Sequence, residues 1–371
     1  MAHGAGGKSS RSLIEGLLVP ALASCEEGQD DVLARLADAG TLTLDEATLG
    51  APTLSGLTLD GATLDGATLD GPMQAGPPPL TPTLALSTDS FVVSPLRFPG
   101  GSIGELAVNG TVNDLAVSGA RALALTLSLV LEEGLDADVL RAEVQAIADA
   151  ARRAGVRVIA GDTKVVEHGH ADGMYVCTTG VGVLDPRARL SPAALAPGDR
   201  VLVSGPIGAH GMAIMLARES FALDAPIVSD TAPLWRAVDA LLGAAGAEVH
   251  CMRDATRGGV ASVLNELARA SGVAALVNEE DVPVEPAVAA AAELLGIDPL
   301  YVANEGRLVA CVAPAAAERA LEALRSVPGC ERAADIGEVQ AEPAGMVLVA
   351  TAFGGRRVMD LLAGDPLPRI C

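Results

Sequence analysis

Aromatic side chains are nearly absent from this chain: four Phe, two Tyr and one Trp make up 2% of its 371 residues. Half of the residues are nevertheless hydrophobic, so the core must be built from Ala, Val and Leu, with Gly at tight turns. Basic residues are scarce as well. Twenty-five Lys and Arg stand against 47 Asp and Glu, a formal charge of −22. A field of that sign excludes nucleic acid and anionic membrane surfaces as partners, though not a nucleotide carried with a metal ion. Cysteines are few and scattered. Cys25, Cys177, Cys251, Cys311, Cys330 and Cys371 form no CxxC pair, which excludes a disulfide framework or a zinc site and fits a reducing cytosol. No stretch reaches the length of a membrane span, and no apolar segment follows a basic N-terminal region. The expectation is a soluble, cytoplasmic protein, long enough for two domains plus extensions.

The segment Ala2 to Ser9 satisfies a loose P-loop pattern. Only Met1 precedes it, so no strand can hold an amide nest against phosphate, and the P-loop reading is rejected. A short apolar helix is expected over Leu13 to Ala23. Residues 43–72 repeat every five positions, with Thr at 43, 48, 53, 58, 63 and 68 and Leu after each. That period is neither helical nor strand-like, and six copies are too few to stack well. An exposed insertion is expected, its Asp60, Asp65 and Asp70 solvated.

From Leu84 the pattern becomes regular. Strands are expected at 84–93, 122–131, 156–160 and 174–184, with helices at 105–119 and 136–154. After a Pro- and Gly-containing link at 185–199, strands near 200–204, 248–253, 274–278, 306–313 and 333–339 alternate with helices near 208–218, 231–244, 258–271, 285–295 and 314–326. A further strand from Gly345, an Arg356-Arg357 turn, a short helix and an extended Pro-containing arm to Cys371 complete the chain. The architecture is a mixed α/β (α+β) fold in two units.

Four carboxylates sit at expected element ends beside Gly, Thr or Asn: Asp89, Asp114, Asp162 and Asp254. A helix cap explains any one of them. Asp89 is harder to explain, because it interrupts an apolar strand, and a buried carboxylate must be paired or hold a metal. Hard oxygen ligands in this number suit magnesium bearing a nucleotide's phosphates. Caps and ion pairs remain the alternative. Lys164, after a Gly-Asp-Thr turn, either meets phosphate or is solvated. Glu305, before a strand, reads as a base or a nucleotide contact. His168 and His170 read as a polar hairpin tip, and His3 and His210 as loop residues. A thiol at Cys371, on an arm with two prolines and Gly364 as a pivot, reads either as a carrier of a chemical group or as a frayed tail.

Several motifs then stand in a familiar order: Thr88-Asp89-Ser90-Phe91, Pro99-Gly100-Gly101-Ser102-Ile103-Gly104, Asn109 to Ala116, Leu131-Glu132-Glu133-Gly134, Gly161-Asp162-Thr163-Lys164-Val165-Val166, Arg253 to Gly259, Ala303-Asn304-Glu305-Gly306, and Pro368-Arg369-Ile370-Cys371. Together they closely resemble the HypE family of hydrogenase maturation factors, outside residues 41–83. The resemblance implies a synthetase-like fold related to aminoimidazole ribonucleotide and selenophosphate synthetases. It implies residues 1–40 as a Gly-rich arm and helix, 41–83 as the insertion, 84–190 as an ATP-binding, dimerising sheet domain, 191–343 as an α/β domain, and 344–371 as a mobile tail.

The implied activity is ATP-dependent dehydration of an S-carboxamide on the cysteine, here Cys371, to an S-cyanate that supplies the cyanide ligand of a [NiFe] centre. A HypF-like carbamoyltransferase loads the thiol and an iron-carrying HypC–HypD complex receives the cyanide. The chain itself is implied to be a homodimer. By matching position, Asp89, Asp114 and Asp254 are implied to bind metal and phosphate. Asn113, Asp162, Thr163 and Thr256 are implied to surround ATP with Mg2+, and Lys164 and Glu305 to lie near the reacting amide. The competing readings are another kinase or synthetase of the superfamily, such as a relative of selenophosphate synthetase, which carries its reactive Cys or selenocysteine near the N-terminus, and a non-catalytic scaffold.

Overall fold

The computed structural model describes residues 39–43, 82–218 and 226–362. Strand β1 (Gly40–Thr43) pairs antiparallel with β2 (Thr83–Phe91), Thr43 opposite Thr83. A small ribbon, β3 (Arg97–Phe98) and β4 (Gly101–Ser102), leads into helix α1 (Ile103–Val117). Then come β5 (Ala120–Glu132), α2 (Ala137–Ala154), β6 (Arg157–Val166) and β7 (Met174–Leu184). The five long strands form one sheet in the order β1-β2-β7-β5-β6. Only β5 and β6 run parallel, with α2 as their crossover. Asp136 caps α2 by accepting from the Asp138 N–H at 2.7 Å, and Gly155 at φ +70° ends it.

One face of this sheet carries the core. Ala85, Ser87, Asp89 and Phe91 of β2 point to the side where α1 lies, as do Leu125, Leu129 and Leu131 of β5. The opposite face, with Leu86, Thr88 and Ser90, is exposed. Helix α1 is buried almost throughout, and glycine lets it approach the sheet. A Cβ at Gly110 would stand 2.7 Å from the Phe91 ring. Glycine inside a helix costs on the order of 1 kcal/mol relative to alanine, and here that loss is offset by the helix–sheet contact it permits.

The second half contains β8 (Arg200–Val203), α3 (Ala209–Arg218), α4 (Trp235–Ala245), β9 (Val249–Asp254), α5 (Gly259–Ser271), β10 (Ala274–Asn278), α6 (Pro286–Leu295), β11 (Leu308–Val312), α7 (Ala317–Arg325), β12 (Ala334–Gln340), β13 (Val347–Ala350) and β14 (Arg356–Val358). These strands form a seven-stranded mixed sheet in the order β14-β13-β10-β12-β8-β11-β9. On one face Val260, Leu264 and Leu267 of α5 pack against Val201, Val277 and Val309. On the other, Leu241 of α4 and Leu324 of α7 pack against Leu202 and Ala310. The result is three layers, helix–sheet–helix. Ala116 and Val117 of α1 join the second of these clusters, so the halves share a seam.

Several local expectations change. Gly161 to Lys164 are not a turn: they continue β6, the exposed edge strand. Arg356 and Arg357 form β14, paired with β13, and no helix occurs over 359–362. His168 and His170 do not tip a hairpin, because β5 lies between β6 and β7. Their loop is held by Glu132, which accepts from the N–H groups of Gly169 and Gly173 at 2.7 and 2.8 Å, with His168 Nδ1 at 3.1 Å. His210 is no loop residue either. It is fully buried in α3, its Nδ1 2.8 Å from Ser229 Oγ and its ring edge-on to Phe98. The 13–23 helix, His3, the repeats after Thr43, and the arm with Cys371 lie outside the described residues. Among the described residues no helix is long and apolar enough to cross a membrane.

Candidate active site

Two aspartates meet where α1 crosses β2. Asp89 accepts from Thr111 Oγ1 at 2.8 Å, and Asp114, one helical turn further, accepts from Ser87 Oγ at 2.7 Å. Thr111 itself is packed between Asp89 and Thr178, whose Oγ1 lies 2.6 Å away. The two carboxyls are within hydrogen-bonding reach of each other. Burial lifts the Asp89 carboxyl above its ordinary range, while Thr111, the Arg257 charge and Asp114 pull it down. Neither residue ends an element: Asp89 lies inside β2 and Asp114 inside α1.

Across the seam lies the second group. Asp254 ends β9, opposite Leu308 of β11. Thr256 follows it, and Gly258 and Gly259, both at positive φ, turn the chain into α5. Glu305 is almost fully buried. Desolvation raises its carboxyl well above the usual range, the charges of Asp254, Asp230 and Asp89 push the same way, and Arg257 opposes them. Asn304 ties this stretch to the Asp254 turn: its Nδ2 donates to Ala255 O at 2.9 Å and its Oδ1 accepts from the Gly208 N–H at 2.7 Å.

Asn113, expected to surround ATP, bridges the two halves. Its Nδ2 donates to Ala232 O and Glu305 O at 3.0 and 3.1 Å, and its Oδ1 accepts from the Leu234 N–H at 2.8 Å. These bonds occupy its polar atoms in clamping the halves together. Successive residues of α1 therefore face both groups: Asn113 grips Glu305, and Asp114 meets Asp89.

Asp162, Thr163 and Lys164 are elsewhere. Strand register aligns Asp162 with Ser128, Cys177 and Ser90, the open face, whereas Asp89 aligns with Thr178 on the helix face. Three strand spacings, about 14 Å, separate the two edges of this row, and the sheet itself stands between them. Asp162 accepts from the Thr163 N–H at 2.8 Å, and all three residues are exposed. Lys164 belongs to the same face as Asp162 by alternation. Within one chain Asp162 and Lys164 do not join Asp89 or Glu305, and Thr163, which alternation turns to the helix face, is kept from β2 by the same three strand spacings.

Of the three aspartates expected to hold metal together, Asp89 and Asp114 come from the first half and Asp254 from the second, and the charges of Asp254 and Asp89 both act on Glu305. Among the described residues no three His, Cys, Asp or Glu side chains converge into a metal cage. The Asp89–Asp114 pair still fits magnesium chemically: both are hard carboxylates at one place, and a phosphate-borne Mg2+ asks for one or two of them. Sequence reasoning passed over Asp230 and Arg257. Arg257 stands inside the Arg253 to Gly259 motif beside two glycines and was legible there. Asp230 carries no motif at all.

Residues 79–184 match the AIR synthase related protein, N-terminal domain, and residues 196–349 its C-terminal domain. A carbamoyl dehydratase HypE of Bradyrhizobium diazoefficiens is 51% identical over 288 residues, covering 78% of this chain and 83% of the relative. The chain belongs to the HypE family. The Escherichia coli carbamoyl dehydratase HypE is 41% identical across 100% of this chain and 98% of its own length. Among solved structures, a HypE–HypF complex superposes with a TM-score of 0.79 at 39% identity, covering 95% of this chain and 100% of the other. A HypE structure in complex with ATP gives 0.75 at 39% identity, covering 100% and 98%. As a HypE protein the chain is a hydrogenase-maturation enzyme, a carbamoyl dehydratase. The scaffold and kinase alternatives are not favoured.

Proposed function

We propose that this chain carries a carbamoyl group on Cys371 and dehydrates it with ATP, using the two groups of carboxylates described above. The reading rests most on one observation: a buried glutamate, Glu305, is held across the seam from a crowded aspartate pair. The reaction removes water from R–S–C(O)NH2. An amide oxygen leaves poorly, so ATP supplies a phosphoryl group to that oxygen; Asp89 and Asp114 would hold a magnesium ion that supplies counter-charge to the phosphates. Loss of the oxygen as phosphate then leaves R–S–C≡N, and two protons depart from nitrogen. Glu305, poised by burial above the normal carboxylate range, is the base for that step. Arg257, whose charge acts on both Asp89 and Glu305, balances phosphate charge between them. Asp254 and Thr256 border the same turn.

Lys164 acts from a second copy of the chain in this proposal. The open face of the first sheet leaves apolar side chains such as Leu86, 43% exposed, uncovered. A homodimer that buries this face turns Asp162 and Lys164 toward the partner subunit. The solved HypE–HypF and HypE–ATP complexes support a HypF-like carbamoyl donor and ATP for this chain. The S-cyanate carbon is an electrophilic cyanide donor, and an iron-carrying HypC–HypD complex is its expected acceptor.

Intact and tryptic mass spectrometry after incubation with the carbamoyl-donating partner tests the carrier. Carbamoylation of Cys371 without ATP, followed by loss of one water's mass when ATP and magnesium are added, is expected. Cys371→Ala should abolish both and leave ATP binding intact. An unmodified Cys371 beside a competent donor would overturn the carrier role.

A further inference from the structure

Glu305 is gripped by its backbone at both ends. Its carbonyl accepts from Asn113 Nδ2 at 3.1 Å and from the Ala232 N–H at 3.5 Å. Its N–H donates to Asp230 Oδ1 at 3.1 Å. Glycine at 306 lets the two segments touch, since a Cβ there would lie 1.9 Å from Asp230 O. Asp230 is an expensive way to satisfy one amide. Its side chain is 2% exposed, and Oδ2 has no hydrogen-bond partner. Arg307 Nε stands 3.6 Å away but donates to Pro206 O at 3.0 Å, and Nη1 donates to Gly306 O and Gly329 O. A buried carboxylate with one oxygen unbonded destabilises the fold, and a neutral side chain would serve the amide equally well. What Asp230 does there is geometric: its Oδ1 holds the Glu305 N–H while Asn113 holds the Glu305 carbonyl.

We infer that Asp230 is a positioning residue for the dehydration step, fixing the Glu305 backbone from the second half while Asn113 fixes it from the first. This rests on the reading of Glu305 as the base. Neither Asp230 nor Arg307 touches the reacting amide in this role. They set where the Glu305 side chain begins, and a displacement of about 1 Å at such a point costs roughly 100-fold in rate.

The test uses the full chain, carbamoylated on Cys371 by its donor and followed through one turnover by intact mass. Asp230→Ala is expected to slow S-cyanate formation roughly 10–100-fold, with ATP affinity within about two-fold of wild type. Asp230→Asn keeps an acceptor oxygen for the Glu305 N–H and should recover most of the loss. In a Glu305→Gln background, timed over hours, Asp230→Ala should add less than about two-fold, because both changes act through one group. A full additional loss in that background overturns the positioning role, as does wild-type turnover by Asp230→Ala. Should Asp230→Ala not fold, Asp230→Leu, close to it in shape and likewise without an acceptor for the Glu305 N–H, carries the same comparison. Wild-type turnover by Glu305→Gln alone overturns the base assignment, and the positioning role falls with it. A slow Glu305→Gln with an unaffected Asp230→Ala overturns the positioning role only.

Discussion

Glu305 and Asp89 are carboxyls that folding places where their charged forms are disfavoured. A carboxyl with a raised folded value binds more protons in the folded than in the unfolded state. Its favourable contribution is therefore complete below the unfolded value and is lost as pH rises through the folded one. Glu305→Gln should accordingly raise the thermal midpoint, with the gain growing between about pH 5 and about pH 8, while dehydration is lost. Thermal melts at both pH values check the sign, and a midpoint that falls equally at both would contradict it. At this scale the sequence was half legible. Asp89 stood out because it broke an apolar run. Asn113 did not reveal its clamp, since its partners, Ala232, Leu234 and Glu305, are all more than a hundred residues away along the chain.

Among the elements, α1 does most to shape the site. Its glycine at 110 brings it down on Phe91, so that Thr111 and Asp114 reach β2 while Asn113 reaches the second half. The β1–β2 pair bears on the repeats. Thr43 faces Thr83 directly, so residues 44–82 are rooted at one end of an antiparallel hairpin. Asp89 lies six residues along β2 from Thr83, about 20 Å at strand rise. Replacing 44–82 by Asn-Gly, the two-residue hairpin turn, should therefore leave dehydratase turnover within about two-fold of wild type, as read by the Cys371 mass assay. Loss of all turnover would tie the insertion to catalysis. Element types and most boundaries followed from periodicity and end signals. The exceptions, 161–164 and 356–357, are polar strands at sheet edges, where no buried face imposes alternation and the pattern reads as turn.

For the whole molecule, the decisive geometry is the sheet between Asp89 and Lys164. If the base and the lysine act in one reaction, they come from different copies. On the proposed homodimer, Lys164→Ala and Glu305→Gln should each be nearly inactive. Mixing and re-equilibrating them should restore turnover, because about half of the resulting dimers are mixed and each mixed dimer holds one intact site. Activity that stays at the level of the separate variants would place both residues in one chain's site or remove Lys164 from the chemistry.

The amino-acid sequence by itself determined the alternation of strands and helices, the Ala-, Val- and Leu-built core and the family. All of these depend on local periodicity or on residues read in order. Only the tertiary structure decided which of those residues meet. Contact across a sheet or a seam depends on register, strand order and face, and a shift of one residue sends a side chain to the other side. That is why Asp89 and Asp114 came together, why Asp162 and Lys164 were set apart from them, and why Asp230, unmarked in the sequence, stands beside Glu305.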